Sequence, residues 1–305
     1  MDTIVSPEIL LLLEEFIKIA KEDPKAELEC KLLSGKIYTK DVADRILKAI
    51  HTLSTGLRCE ENRLSISYAD STRVNVMGSE NIHKLCSTNS FRNIPLVVEK
   101  KLKYFESHKG KKDIIDVPEG NMRFTLRSEE EIRRDWEGNP SDSKTHIRLI
   151  NRKCFGTSDG LFRIDFSIVK TRGVNSKQTI KDLLKLPHTY ELEIEFLNKK
   201  TEIPEKMIIQ ELLKILTSLS QSFYQSPFLL KVSDMNKYEQ EFKLSKNIFY
   251  DLVTWTRRHI NPINPHNISK GYTVTNKADG ERSGLYVARD RKLIRIAKNN
   301  KITWT

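Results

Sequence analysis

Between residues 58 and 172 the chain alternates polar and apolar side chains in short segments, a pattern that predicts a series of β-strands. The alternating segments cover residues 63–68, 73–77, 96–105, 121–127, 146–154 and 161–170. Turn-forming residues separate them, as in Ala69-Asp70-Ser71 and Ser158-Asp159-Gly160. Many short strands at this spacing are typical of an antiparallel sheet or barrel.

Helical periodicity surrounds this strand-rich region. Ser6 and Pro7 suit the N-cap and first position of a helix, and a second helical pattern covers residues 41–53. Further helices are predicted at residues 179–186, 204–219 and 247–258, and further strands at residues 26–32 and 189–197. The sequence therefore predicts an α+β fold, an antiparallel β-barrel flanked by helices. The mixed, charged stretch at 226–246 predicts a domain boundary, which divides the chain into residues 1–230 and 231–305.

Two of the predicted strands carry glutamate at every second position. The residues that share one face are Glu27, Glu29 and Lys31 on the first strand and Glu191, Glu193 and Glu195 on the second. If the two rows meet, their carboxylates form an all-oxygen site for a hard divalent cation such as Mg²⁺ or Mn²⁺. The alternative is that each row is the solvent-exposed face of an edge strand.

Basic residues recur with the same period between the glutamate rows. Arg123 and Arg127 share one strand face, and Arg148 and Arg152 share another, a spacing that suits the interior of a closed barrel. Carboxylates holding a cation on one wall and basic side chains on the others make a site for a triphosphate. The alternative for each arginine is a solvated or ion-paired surface residue.

Near its end the chain contains the motif K-x-D-G-x-R, formed by residues 277–282, after an alternating segment at residues 271–276. A neutral lysine amine attacks the α-phosphate of a nucleotide in covalent nucleotidyltransferases, and Lys277 would be that nucleophile. Gly280 lets the backbone approach a phosphate closely. The alternative is a surface Asp-Gly turn beside a solvated lysine.

Charge and composition narrow the function classes. The 305 residues include 52 Lys and Arg against 41 Asp and Glu, a net charge of +11 that suits a polyanionic partner such as RNA. The four cysteines are far apart and have neither C-x-x-C spacing nor a paired His motif, which argues against a zinc site and a disulfide framework. No run of about 18 apolar residues is present, so no membrane-spanning helix is predicted.

The order of these motifs resembles the multifunctional mRNA capping enzymes of large cytoplasmic DNA viruses. In that family a triphosphate-tunnel RNA 5′-triphosphatase precedes a guanylyltransferase whose first motif is K-x-D-G. The resemblance implies a metal site for Mn²⁺ or Mg²⁺ formed by Glu27, Glu29, Glu193 and Glu195. It further implies that Glu191 orients the attacking water. The substrate implied is 5′-triphosphate RNA, and such tunnels also accept free nucleoside triphosphates.

Shorter segments extend the resemblance. Thr72-Arg73-Val74 and Val98-Glu99-Lys100-Lys101 resemble family segments with a functional basic residue, which implies that Arg73 and Lys101 bind phosphate. The segment 122–131 (MRFTLRSEEE) makes Glu130 a catalytic candidate, and 162–166 (FRIDF) does the same for Asp165. Where poxvirus-type sequences carry a further phosphate-binding lysine this chain has Ser167, and Lys170 replaces that lysine only if the strand bulges.

For the second domain, the resemblance implies GTP binding by Asp279, Gly280 and Arg282 around Lys277. Only 23 residues follow Arg282, so the downstream guanylyltransferase motifs do not fit, and we expect this chain to be part of a longer enzyme. A capping or methyltransferase subunit is an implied partner. Family members work in cytoplasmic viral factories, which implies a cytoplasmic protein.

Two alternative functions stay open on the sequence. One is a tunnel phosphatase for a small triphosphate. The other is a non-catalytic, basic RNA-binding module, which would tolerate loss of Glu27 or Glu193. Such a module would expose stacking aromatic residues, whereas only 8% of this chain is aromatic.

Overall fold

The computed structural model of the protein describes residues 4–32, 39–105, 112–131, 144–173, 180–197, 201–226, 229, 231–243, 283–287, 293–297 and 302–304. The first nine strands are β1 (Ala26–Leu32), β2 (Ser54–Tyr68), β3 (Thr72–Met77), β4 (Leu96–Lys103), β5 (Ile114–Val117), β6 (Met122–Glu131), β7 (Lys144–Thr157), β8 (Phe162–Gly173) and β9 (Thr189–Phe196). The helices are α1 (Pro7–Glu22), α2 (Lys40–Leu53), α3 (Ser79–Thr88), α4 (Ile180–Leu183), α5 (Glu205–Tyr224) and α6 (Val232–Lys243).

Eight of these strands close into an antiparallel barrel. Their order is β1-β9-β8-β7-β2-β3-β4-β6, and β1 closes the ring by pairing with β6 from Ala26 opposite Ser128 to Leu32 opposite Met122. Strand β5 pairs with the first part of β6, while β4 pairs with its second part. Closure leaves no open edge on the eight strands, so every strand has an inner and an outer face.

The outer faces of several barrel strands are apolar and are covered by helices. Helix α1 lies against β1, whose outward residues Leu28, Cys30 and Leu32 are buried. Helix α3 packs on β2 and β3, where one buried cluster consists of Leu64, Ile66, Val76, Ile82, Leu85, Ile94, Ile147 and Leu183. Because the helices cover the outer faces, the polar rows on the same strands point into the barrel.

Most predicted elements appear close to their expected positions. Strand β1 matches its prediction residue for residue, and Ser6 caps α1 by accepting a hydrogen bond from the Ile9 amide at 3.3 Å. Strands β2 and β7 are longer than predicted, because they pair with each other along most of their length. Helix α3 was not predicted from sequence, since it buries only Ile82 and Leu85 and its apolar periodicity is weak.

The chain divides into two compact units, one of Met1–Phe223 with Phe228–Val232 and one of Tyr224–Pro227 with Ser233–Thr305. In the second unit, β10 (Ser283–Val287), β11 (Leu293–Ala297) and β12 (Ile302–Trp304) form an antiparallel sheet. The predicted helix at 247–258, the strand at 271–276 and the motif at 277–282 lie outside the described residues. None of the described helices has the length and apolarity needed to cross a membrane.

Candidate active site

A cavity of about 770 Å³ lies inside the barrel and is lined mainly by charged side chains. All eight strands of the ring contribute to it. The basic residues that line it are Lys31, Arg63, Arg73, Lys101, Lys103, Arg123, Arg127, Arg148, Arg152 and Arg163. The acidic residues that line it are Glu27, Glu29, Glu99, Glu129, Asp165, Glu193 and Glu195. The excess of positive charge suits an anionic ligand.

The two glutamate rows meet on one wall of the cavity, so they are not the solvent-exposed faces of edge strands. Strands β1 and β9 are neighbours, and their register sets Glu29 opposite Glu195 and Lys31 opposite Glu193. Glu29 and Glu193 are each only 8% exposed. We call the side of the tunnel formed by these two strands the acidic wall.

Each carboxylate of the acidic wall has a basic neighbour. Glu193 accepts hydrogen bonds from Lys31 at 2.7 Å and from Arg152 at 2.9 Å. Arg163 donates to Glu195, and Lys101 donates to Glu27. These pairs compensate charges that would otherwise be costly to bury.

Burial, neighbouring carboxylates and basic partners shift the pKa values of the acidic side chains in different directions. Burial raises the pKa of Glu27 from 4.5 to about 8, against the opposing effect of Lys101. Burial also raises the pKa of Glu29, and the adjacent Glu193 carboxylate raises it further. At Glu193 burial acts in the same direction, but Lys31 and Arg152 outweigh it and hold the pKa of Glu193 below its ordinary value. The carboxylates of the acidic wall therefore differ in their affinity for protons.

The donor set of the acidic wall fits a divalent cation of the Mg²⁺ or Mn²⁺ type. It consists of carboxylate oxygens alone, and Glu29 Oε1 is buried without a hydrogen-bond partner among the described residues. Among those residues no three Asp, Glu, His or Cys side chains converge on one point, because their carboxylates contact lysine and arginine instead. The carboxylate oxygens of the acidic wall are therefore suitable ligands for such an ion, although in this structure they contact basic side chains.

The basic residues predicted to bind phosphate are brought to the same cavity, with one exception. Arg152 contacts Asp165 at 2.9 Å, Lys101 contacts Glu129 at 2.8 Å, and Arg73 contacts Glu99 at 3.2 Å. The cavity is also lined by Arg127, Arg148 and Arg123, of which Arg123 is 52% exposed and donates to Asp116 at 2.6 Å.

Lys170, the exception, lies outside the cavity. Its Nζ donates to the Leu184 carbonyl oxygen at 2.6 Å. Strand β8 pairs with β7 without a register shift from Arg163 to Gly173, so the bulge that Lys170 would need is absent from this pairing. Ser167 is in the barrel wall, where its Oγ accepts a hydrogen bond from Arg152 Nε at 3.2 Å.

The three predicted catalytic carboxylates lie in different environments, and one of them, Glu130, points away from the cavity. Glu130 is on the outer face of β6, with a side chain 58% exposed and paired with Lys25 at 2.9 Å. Its neighbour Glu129 lines the cavity, because adjacent strand residues point to opposite faces. Glu191 pairs with Arg148, and Asp165, only 2% exposed, lies deep in the cavity wall.

Sequence reasoning assigned no role to six charged residues that line the cavity. They are Lys31, Arg63, Glu99, Lys103, Glu129 and Arg163. The signal that would have found them is the same period of two. Each lies on the inward face of its strand, at an even number of residues from other inward positions, as Lys31 lies two residues after Glu29. The predicted nucleotide-binding residues Lys277, Asp279, Gly280 and Arg282 lie outside the described residues.

The fold matches solved structures of one viral protein. A monoclinic crystal structure of the mimivirus capping enzyme triphosphatase superposes with a TM-score of 0.53 at 17% identity, covering 71% of this chain and 99% of that one. A triclinic form gives 0.52 at 18% identity, covering 71% and 99%. No protein-family model and no curated protein matches the sequence. At this identity the likeness shows the fold alone, a closed antiparallel β-barrel flanked by helices.

Proposed function

We propose that the barrel is a metal-dependent RNA 5′-triphosphatase, which removes the γ-phosphate from 5′-triphosphate RNA as the first step of mRNA cap formation. The observation that carries the proposal is the closed tunnel with carboxylates of β1 and β9 on one wall and arginines of β7, β2 and β3 on the other. The fold-level likeness to a capping-enzyme triphosphatase supports the same reaction.

The chain's own residues account for substrate binding. Arg73, Arg148 and Arg152 offer guanidinium groups that bind phosphoryl oxygens in a two-pronged manner. Lys101 adds a point charge beside them. As the bond to the γ-phosphorus breaks, charge is spread over the phosphoryl oxygens, and fixed cations around them stabilise that charge.

The acidic wall supplies the other half of the proposed site. Glu27, Glu29, Glu193 and Glu195 would hold Mn²⁺ or Mg²⁺, which when bound neutralises phosphoryl charge. Glu191 is our candidate for orienting the attacking water. It contacts Arg148, so its carboxylate lies beside a residue proposed to bind phosphate.

RNA rather than a small triphosphate is favoured by charge. The net charge of +11 over 305 residues suits a long polyanion such as RNA. Binding of a small triphosphate would not require such a charge on the whole protein. A tunnel phosphatase for free nucleoside triphosphates or tripolyphosphate is the second candidate. A non-catalytic RNA-binding module is the third.

The test is release of phosphate from γ-³²P-labelled triphosphate RNA, with Mn²⁺ or with EDTA. We expect release with Mn²⁺ only, a diphosphate RNA end as product, and loss of release in Glu193→Ala. Glu211→Ala is the matched control, because Glu211 is on α5 and pairs with Lys214 at 2.5 Å, away from the cavity residues. Release from tripolyphosphate but not RNA would favour the second candidate. No release from RNA or tripolyphosphate with Mn²⁺ would favour the third.

We further propose that the chain belongs to a longer capping enzyme of a large DNA virus, acting in the cytoplasm, with Lys277 as guanylyltransferase nucleophile. The support is the K-x-D-G-x-R motif following the triphosphatase region, and Asp279, Gly280 and Arg282 as nucleotide-binding residues. Labelled GTP tests it. We expect a lysyl-GMP adduct in an enzyme that carries the remaining motifs and none in its Lys277→Ala variant; an adduct that survives the substitution would refute the assignment.

A further inference from the structure

Arg63 on β2 is a largely buried cation that lines the cavity and has little negative charge beside it. Its side chain is 19% exposed, and its Nη2 lies 4.0 Å from Glu61 Oε1, which is too long for a hydrogen bond. Its Nε is buried and has no hydrogen-bond partner in the part of the chain that the structure describes. Arg152, which is buried similarly, instead contacts Asp165 and Glu193 at 2.9 Å each.

The strand order sets Arg63 across the tunnel from the acidic wall. In the closed ring, β2 is four strands from β1 in both directions, through β9, β8 and β7 or through β6, β4 and β3. Its two neighbours carry the cavity-lining Arg148 and Arg152 on β7 and Arg73 on β3. Arg63 is therefore on the central strand of an arginine-lined wall, which we call the basic wall.

The surroundings of Arg63 disfavour its own charge. Burial lowers the pKa of Arg63, and the nearby Arg152 lowers it further, in opposition to Glu61. At Arg152 the effect of burial is outweighed by Glu193 and Asp165, which raise the pKa. A buried guanidinium with an unused donor and too little negative charge around it is stabilised by an anion that enters the cavity.

We propose that Arg63 binds a phosphate group of the substrate triphosphate, from the wall opposite Glu27 and Glu29. The identity of the substrate rests on the proposed function, whereas the binding of an anion rests on the contacts of Arg63 alone. Arg63 then positions the triphosphate between the two walls, and its neighbours Arg73 and Arg152 bind other phosphoryl oxygens of the same triphosphate.

The first measurement is calorimetric titration of inorganic tripolyphosphate into the metal-free protein in EDTA. We expect Arg63→Gln to weaken binding by at least about tenfold, which corresponds to about 1.4 kcal/mol. Arg63→Lys keeps the charge but loses the planar fork, so we expect an intermediate loss. The Arg63→Lys variant also keeps the proposal testable if Arg63→Gln does not fold. Equal affinities for the wild type and a folded Arg63 variant, or no binding by the wild type, would overturn the proposal.

Arg45→Gln is the matched control. Arg45 on α2 is 20% exposed and also has Nε and Nη2 buried without partners among the described residues, but it does not line the cavity. We expect its tripolyphosphate affinity to equal that of the wild type. An equal loss in Arg45→Gln and Arg63→Gln would mean that any buried arginine has this effect, and the proposal would fail.

Kinetics separate this proposal from the proposed function. With triphosphate RNA as substrate, Arg63→Lys should raise KM more than it lowers kcat, with an unchanged urea midpoint. If the wild type binds tripolyphosphate through Arg63 but hydrolyses no triphosphate, the triphosphatase function fails and the anion site stands. If hydrolysis occurs with the same KM in both proteins, the function stands and the role of Arg63 fails.

Discussion

The acidic and basic walls of the tunnel differ in how closely their buried charges are paired with opposite charges. On the acidic wall, Glu193 lies between Lys31 and Arg152, and Glu195 is paired with Arg163. On the basic wall, Arg63 has one carboxylate at 4.0 Å and an unused buried donor in the described part of the chain. The difference indicates that the carboxylates of the acidic wall are paired with basic side chains, whereas Arg63 on the basic wall has no such close partner among the described residues. We expect a polyphosphate to supply the negative charge that Arg63 lacks.

The largest expected effect comes from Arg152, which links the two walls. Arg152→Ala leaves Glu193 and Asp165 with one fewer buried partner each, and we expect the free energy of unfolding to fall by about 3 kcal/mol in urea denaturation. Phosphate release should be lost as well. In Arg152→Ala/Glu193→Gln, part of the stability should return, because the buried Glu193 carboxylate, which keeps only Lys31 as a basic partner once Arg152 is removed, no longer carries a charge.

Arg148→Ala is the control for that substitution. Arg148 and its partner Glu191 have side chains 26% and 32% exposed, so we expect their pair to contribute less than about 1 kcal/mol. Equal losses of stability in the two alanine variants would contradict the distinction between Arg152 as a link between the walls and Arg148 as a solvated pair.

The next effect is on activity and compares two adjacent glutamates. Glu129 contacts Lys101 inside the tunnel, whereas Glu130 contacts Lys25 outside it. We expect Glu129→Gln to lower phosphate release by about tenfold or more, since it misplaces Lys101, which we propose binds phosphate, and Glu130→Gln to leave it unchanged. The reverse result would restore the sequence-based assignment of Glu130 as a catalytic residue.

A smaller effect should appear in the pH dependence of stability. The pKa of Glu27 is raised to about 8 in the folded protein, so neutral Glu27 contributes stability that is complete below its ordinary value of 4.5. That contribution is lost as the pH rises to about 8. In EDTA, the thermal midpoint of the wild type should fall between pH 5 and 8 more steeply than that of Glu27→Gln. Parallel curves would show that Glu27 titrates near its ordinary value.

The smallest effect is expected at Lys170. Its Nζ binds the Leu184 carbonyl oxygen on the outside of the barrel, so Lys170→Ala should leave KM and kcat for triphosphate RNA unchanged. A raised KM would mean that Lys170 reaches the substrate after all and that the correction drawn from the β8 register is wrong.

Local sequence was enough for several parts of this protein. The alternation in β1 predicted its bounds and its glutamate face, and Ser6 with Pro7 predicted the start of α1. These features depend on residues within a few positions of each other, so their period and capping chemistry are visible in the chain itself. The same alternation explains why Arg123, Arg127, Arg148 and Arg152 all reach the cavity.

The two wrong placements also follow from alternation. Glu130 and Lys170 are each an odd number of residues from an inward position, Glu129 and Ser167. The roles of these two residues were assigned from similarity to family motifs, without regard to the strand face on which each residue lies. In a strand, a shift of one residue moves a side chain to the other face. Helix α3 and strand β5 are short, and their apolar patterns are too brief to predict them.

The sequence by itself predicted the eight strands of the barrel and which of their side chains share a face, because both follow from a period of two. Only the tertiary structure decided that β1 closes on β6, that the glutamates of β1 and β9 meet, and that Arg63 lacks a partner which Arg152 has. Strand pairing and register join residues far apart in the chain, and whether a buried charge finds a counter-charge depends on that register. Local pattern carries no information about it.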